Sequence, residues 1–311
     1  MRVVFFGTPE FAVSSLDAIV ASHHEVVAVV TVPDRQAGRG QKVVYSAVKQ
    51  YALDHQLPLL QPEKLRDPRF LETLRAFDAD VFVVVAFRML PEAVWNMPPH
   101  GTFNLHASLL PRYRGAAPIN WAIINGELET GVTTFLLNAH IDEGNILLQQ
   151  STPITADDNA GTLHDRLAEL GRRLVVETLD GLEQGTLTPC PQSVDSCPAP
   201  KIFKDDCRIN LNQSPQQVVD FIRGLSPYPA AFFVMRRPDG TEVPFKVFEA
   251  TPEISPEGAP GALICDAKKV LKLGVAGGFI NVLSLQMSGK RKNCIEDFLR
   301  GNSLNDWKLM M

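Results

Sequence analysis

Asn104 and His106 stand two residues apart in the run Thr102-Phe103-Asn104-Leu105-His106, and Asp142 follows in His140-Ile141-Asp142-Glu143-Gly144. An amide, an imidazole and a carboxylate make a set suited to acyl transfer. One donates to an oxyanion, one handles a proton, and one orients the handler. Each also has a plainer reading on residue type alone. A strand histidine commonly serves the core, and an aspartate ahead of Gly144 suits a turn. His140 beside Asp142 invites a metal reading, but three or four ligands at suitable spacing are missing there, so no metal is expected. Ser108 lacks the Gly-x-Ser-x-Gly setting of a nucleophile and reads as a loop or pocket residue.

These groups need rigid elements to hold them. The apolar/polar alternation of Thr102–His106 predicts a strand, which would put Asn104 and His106 on one face. Ser108-Leu109-Leu110-Pro111 breaks it, and Val132–Leu137 predicts a second strand running towards Asp142. Sites in open α/β sheets lie just past strand ends, as these three residues do. Upstream, Arg2–Phe6 reads as a buried strand. Thr8 is the expected cap and Pro9 the first position of a helix, and Glu25–Val32 is a second strand. This β-α-β opening predicts a doubly wound, mostly parallel α/β sheet, and a single glycine in its turn argues against dinucleotide binding. Helices are expected over Val44–His55 and Asp67–Phe77, with short and continuous strands over Leu57–Gln61 and Asp80–Phe87. The unbroken Val/Phe content of Asp80–Phe87 fits a strand covered on both faces. Ile146–Thr152 completes the strand set and Asn159–Leu182 has helical spacing.

With 311 residues and 45% hydrophobic content the chain has the make-up of a globular protein with a real core. Its apolar runs are too short to cross a bilayer, so no membrane partner is expected. Five cysteines without a CxxC pair suit a reducing compartment, and a cytoplasmic monomer is expected. The net charge of −5 excludes a protein that coats nucleic acid wholesale. The charge is uneven: residues 1–204 carry 17 Lys/Arg against 23 Asp/Glu, and residues 205–311 carry 13 against 12. An RNA partner would therefore be met by local patches. One is Pro33–Lys42, an exposed loop by composition, whose Arg35, Arg39 and Lys42 could be a solvated surface or a phosphate-reading finger. Prolines at 189, 191, 198 and 200 mark a boundary, giving an expected domain over 1–185, a linker over 186–206 and a second domain over 207–311. There Ser214-Pro215 starts a helix, and about five short strands predict a small antiparallel, OB-like barrel. Lys204, Lys290 and Arg291 supply its basic character.

Asn104-Leu105-His106, Ser108-Leu109-Leu110-Pro111 and Asp142-x-Gly144 resemble, in order and spacing, the folate-dependent formyltransferases. The Gly-Thr-Pro-x-Phe start and Leu285-Gln286-x3-Lys290-Arg291 extend the likeness to the whole chain. Pro-Asp-Arg-x-Ala-Gly-Arg-Gly at 33–40 resembles the loop that the methionyl-tRNA branch of that family inserts against the tRNA acceptor stem. The resemblance implies formyl transfer from N10-formyltetrahydrofolate to the α-amine of methionine on initiator tRNA. It implies Asn104, His106 and Asp142 as catalytic residues, and Phe87, Arg88, Leu90, Ser108, Leu109, Leu110 and Pro111 around the folate. It implies Arg35, Arg39, Lys42, Lys204, Lys290 and Arg291 on the tRNA. Arg88 replaces a glycine common in relatives. An amine is itself the nucleophile in such a reaction, so no covalent intermediate is implied. The alternatives are a relative acting on a sugar nucleotide or glycinamide ribonucleotide, or a non-catalytic RNA-binding module, which would leave Asn104, His106 and Asp142 without a role.

Overall fold

The computed structural model describes residues 1–37, 42–194 and 196–310. In chain order the elements begin with β1 (Arg2–Gly7), α1 (Glu10–Val20), β2 (Glu25–Val30), β3 (Arg35–Ala37), β4 (Lys42–Val44), α2 (Ala47–Asp54), β5 (Leu59–Leu60) and α3 (Pro68–Ala76). They continue with β6 (Val81–Val85), α4 (Glu92–Trp95), β7 (Thr102–His106), β8 (Arg112–Gly115), α5 (Pro118–Ile124), β9 (Glu129–Leu136), β10 (Ile146–Pro153), α6 (Ala160–Glu183) and β11 (Cys197–Ala199). The chain divides into two compact units.

The first unit comprises Met1–Ala116, Glu129–Pro153 and His164–Ala199. Its sheet runs β10-β9-β7-β6-β1-β2-β5, and the five strands from β7 to β5 are parallel while β9 and β10 are antiparallel. Every residue of Val81–Val85 is buried, as are Val3 to Phe6. Burial on both faces is why these strands are continuous apolar runs and not alternating ones. Phe6, Phe82, Val84 and Leu90 share one core face with Leu74 and Val94. On the other face Leu105 packs against Gly171 of α6, where a Cβ would come within 2.6 Å of the leucine. Strand alternation then turns Asn104 and His106 away from α6, onto the side of Val84.

Local signals explain most element ends. Asp67 caps α3 by accepting from Arg69 N–H, and Ser46 caps α2 by accepting from Lys49 N–H. Two expectations are corrected here. Pro9, not Thr8, is the N-cap of α1, with no side-chain cap bond. Val44 belongs to a hairpin in which Arg35 faces Val44 and Ala37 faces Lys42, so the helix begins only at Ala47. Interstrand pairing outcompetes the helical pattern at that point. β6 stops at Val85 because Ala86 takes φ 47°, and β5 is only Leu59–Leu60.

The second unit comprises Ala117–Leu128, Ile154–Leu163 and Pro200–Met311. It contains α7 (Pro215–Leu225), β12 (Ala231–Arg236), β13 (Glu242–Ile254), β14 (Leu263–Cys265), β15 (Leu271–Val275), β16 (Gly278–Met287), β17 (Asn293–Cys294), α8 (Ile295–Gly301) and β18 (Lys308–Met310). The sheet is wholly antiparallel, in the order β14-β15-β16-β13-β12-β18 with β17 on β16. It is a nearly closed barrel-like sheet. Its core joins Phe233, Phe245, Leu273, Ile280 and Leu285 to Val218, Ile222 and Leu225 of α7 and Phe298 of α8. Ser214 and Gln217 form a full capping box at the start of α7, with Pro215 in the first turn. Among the described residues no helix is long and apolar enough to cross a membrane, and all five cysteines are free thiols.

Candidate active site

His106 ends β7 and is only 6% exposed. Its Nε2 lies 2.8 Å from the carbonyl oxygen of Tyr113. A carbonyl only accepts, so Nε2 carries the hydrogen and the neutral ring keeps its lone pair on Nδ1. That Nδ1 stands 3.8 Å from Oδ2 of Asp142. The separation allows charge attraction but is too long for a hydrogen bond. Asp142 is itself tied from behind: Gly115 N–H donates to Oδ2 over 2.9 Å. Gln192 Nε2 donates to the carbonyls of Asp142 and Gly144, both at 2.8 Å. Arg114 completes the clamp, donating through Nε and an Nη to Gln192 Oε1 and reaching Glu143 at 3.3 Å.

The backbone around the carboxylate requires its residue types. Asp142 has φ 54°, a left-handed conformation that aspartate tolerates better than most residues. Gly144 passes so close to β9 that a Cβ would lie 1.6 Å from Leu136 O. Asn104 is half-buried on the same strand face as His106, opposite Val84 of β6 and Phe135 of β9. Its side-chain amide makes no hydrogen bond to any described residue, which leaves its N–H groups available to a bound molecule. Asn104 and His106 share one face of β7, and His106 faces Asp142. This is a polar face with an unused donor, a base lone pair and an adjacent carboxylate.

The expected pocket residues lie in the two loops that follow β6 and β7. After β6, Phe87 meets Phe6 edge-to-face with ring centroids 5.7 Å apart, and Leu90 is buried in the same core. Arg88 is turned towards the carbonyls of Pro62 and Glu63, so this non-glycine residue fastens one loop to another. After β7, buried Ser108 donates to Arg112 O over 2.7 Å, which fits a loop role better than a nucleophile. Thr133 Oγ1 donates to Ser108 O and accepts from Leu110 N–H, and Gln149 donates to Leu110 O. Leu109 and Pro111 are partly exposed within this braced loop, and Leu110 is buried. A depression of about 450 Å³ lined by Leu74, Phe82, Met97 and Pro98 opens near the other end of β6 and includes none of these residues.

The basic residues are more dispersed. Arg35 and Lys42 lie in the β3–β4 hairpin, and Arg39 lies outside the described residues. The hairpin's root is fixed: Lys49 Nζ is 2.6 Å from Asp34, and Gln61 donates to Asp34 Oδ1 and Val32 O. The hydrogen bonds from Lys49 first, then Gln61, hold the Asp34 carboxyl below its usual range. In the second unit Lys204 is exposed before a short turn of 3-10 helix, and Lys290 and Arg291 are exposed between β16 and β17. None of these three side chains makes an ion pair among the described residues. Sequence reading missed Tyr113, Gly115, Thr133, Gln149 and Gln192; Tyr113 acts through a backbone carbonyl that its residue type does not announce, and the other four act through partners distant along the chain. Gly115, with φ 126° and a Cβ position 2.5 Å from Ala199 O, was the one legible signal.

Comparison with known proteins places the chain in a family. Residues 1–179 match the family model for formyl transferases and residues 201–303 that for the formyl transferase C-terminal domain. A methionyl-tRNA formyltransferase of Bacteroides fragilis is 53% identical over 98% of this chain and 96% of its own. One of Flavobacterium psychrophilum is 47% identical over 100% of this chain and 99% of its own. By structure, HypX from Aquifex aeolicus in complex with tetrahydrofolic acid superposes with a TM-score of 0.64 at 20% identity, covering 98% of this chain and 48% of HypX. The sugar 3N-formyl transferase WlaRD, with dTDP and 5-N-formyl-THF, gives 0.63 at 18% identity over 94% of this chain and 99% of its own. These last two establish the fold. The chain belongs to the formyl transferase family, in company with methionyl-tRNA formyltransferases.

Proposed function

We propose that this chain transfers the formyl group of N10-formyltetrahydrofolate to the α-amino group of methionine esterified to initiator tRNA, as a cytoplasmic monomer. The observation that carries the reading is the Asn104, His106 and Asp142 face at the end of β7, in a chain 53% identical end to end to a methionyl-tRNA formyltransferase. The amine nitrogen attacks the formyl carbon and the carbonyl electrons move onto oxygen. Asn104 donates to that oxyanion. His106 Nδ1, the lone-pair nitrogen left by the Tyr113 contact, takes the proton released by the amine. Asp142 holds the imidazolium that results. Collapse breaks the bond to N10, and the imidazolium returns its proton to that nitrogen.

Phe87, Arg88 and Leu90 on one side and Ser108 to Pro111 on the other form the walls for the folate. Arg88 and Ser108 donate to backbone carbonyls and Leu110 N–H to the Thr133 hydroxyl, so these walls act by shape and main chain. Arg35 and Lys42 of the hairpin, together with Arg39, grip the acceptor end, and Lys204, Lys290 and Arg291 meet the phosphate backbone. Residues 1–185 then carry the chemistry, 186–206 connect, and 207–311 hold the RNA. The test is transfer from N10-formyltetrahydrofolate to methionyl-initiator tRNA by the wild type and by Asn104→Ala. Rapid transfer that the variant loses supports the reading. Transfer to a small amine and none to tRNA would replace it with a sugar-nucleotide or glycinamide-ribonucleotide activity.

A further inference from the structure

Reading along the sequence gives no metal spacing, yet the fold brings together four ligand-bearing residues far from β7's C-terminal end. His23 and His24 lie between α1 and β2, and Asp180 and Glu183 are one turn apart at the end of α6. His23 Nε2 is 2.8 Å from Glu183 Oε2 and 3.8 Å from Asp180 Oδ1, and His24 Nε2 is 3.0 Å from Asp180 Oδ1. The ligand atoms of all four lie within 4.8 Å of one another. We propose that His23, His24, Asp180 and Glu183 form a binding site for one divalent late first-row metal ion, with zinc the best match.

The geometry meets the requirements of such a site. Metal–nitrogen and metal–oxygen lengths of about 2.0–2.2 Å place tetrahedral ligand atoms roughly 3.3 Å apart. The shortest pairs here, at 2.8 and 3.0 Å, need open only slightly. Two imidazoles and two carboxylates suit zinc, whereas magnesium and calcium prefer oxygen alone. The His24 side chain is fully buried while that of His23 is 62% exposed, so the site has a fixed floor and an open side. A depression of about 400 Å³ lined by Met1, Arg2, His23, Asp80, His100 and Glu183 offers the entry path. The bound ion would fasten the last turn of α6 to the β1–β2 side of the first unit, as a structural site.

The experiment uses the full chain stripped with a chelator and titrated with zinc against a chromophoric competitor, with cobalt as a spectroscopic probe. One equivalent should bind, cobalt should show tetrahedral visible bands, and the melting temperature should rise. His23→Ala, at a side chain that is 62% exposed, should weaken binding by about tenfold or more. Glu183→Gln should do the same while keeping a hydrogen-bonding side chain. No saturable binding by the wild type overturns the proposal, and so does binding that survives both substitutions. The readout is independent of formyl transfer, so its failure leaves the proposed reaction untouched.

Discussion

Two histidine–carboxylate clusters occupy the same unit and are built on opposite plans. At the end of β7, His106 and Asp142 are each secured by backbone: Tyr113 O takes the Nε2 hydrogen and Gly115 N–H holds the carboxylate. Their facing atoms are left 3.8 Å apart, without a hydrogen bond. Beside β1, His23 and His24 close directly onto Glu183 and Asp180 at 2.8 and 3.0 Å. The first arrangement keeps a lone pair and a charge in reserve for something that arrives. The second brings its ligand-bearing atoms to short range and ties the end of α6 to the turn between α1 and β2. Buried groups fastened from behind and unspent in front are a better mark of catalysis than short distance is.

The comparison can be broken most sharply by exchanging carboxylates for amides. Asp142→Asn should lower kcat by about 10²–10³-fold, the scale of losing one preorganised electrostatic group, with folate affinity preserved. Asp180→Asn should leave kcat in place. Equal losses in single-turnover assays would erase the distinction. Next in size is Gly144→Ala, which drives a methyl onto Leu136 O. It should destabilise the chain by about 1–3 kcal/mol in thermal unfolding and reduce transfer further by shifting Asp142. Gly185, with no atom near its Cβ position but φ 64°, should tolerate alanine at a cost of about 1 kcal/mol.

A smaller effect separates chemistry from grip. The triple variant Arg35→Ala, Arg39→Ala, Lys42→Ala should raise KM for tRNA with kcat for bound substrate nearly unchanged. Its log–log salt slope should flatten by about one per lost phosphate contact. A variant that lost kcat alone would move the hairpin into the catalytic group. The smallest effect lies in the second unit. Asp266 accepts from the N–H groups of Val270, Lys269 and Lys268, which lowers its pKa from 3.8 to about 2. A depressed folded value means its contribution is whole above pH 3.8 and disappears as pH falls through about 2. Asp266→Ala should flatten unfolding midpoints over that window and leave transfer at neutral pH intact.

Much of the scaffold was legible because local physics sufficed. Asp80–Phe87 declared a doubly covered strand, observed over Val81–Val85, Thr102–His106 appeared with the expected bounds, and Ser214 capped its helix as read, while Asp67, expected as the first helical residue, proved to be the cap of its helix. The order of motifs also marked Asn104, His106 and Asp142, since residue type and strand face are local facts. What escaped depends on distant partners. Val44 reads as helix until Arg35 pairs with it. Pro118–Ile124 went unread as a helix within the motif-rich stretch, although Pro118 stands in its first turn. The His24–Asp180 contact spans 156 residues, and no spacing rule along the chain anticipates it.

Gln192 sits between the two regions matched by the family models, in what looks like plain connector. It nevertheless shares four hydrogen bonds with Arg114, Asp142 and Gly144. Two residues on, Val194 is 95% exposed. Protein engineering would meet these neighbours very differently. A tag or guest loop spliced between Ser193 and Val194 should be carried without harm, as exposed loop tips allow. The same graft placed before Gln192 would pull the bolt from the backbone that carries the Asp142 carboxylate.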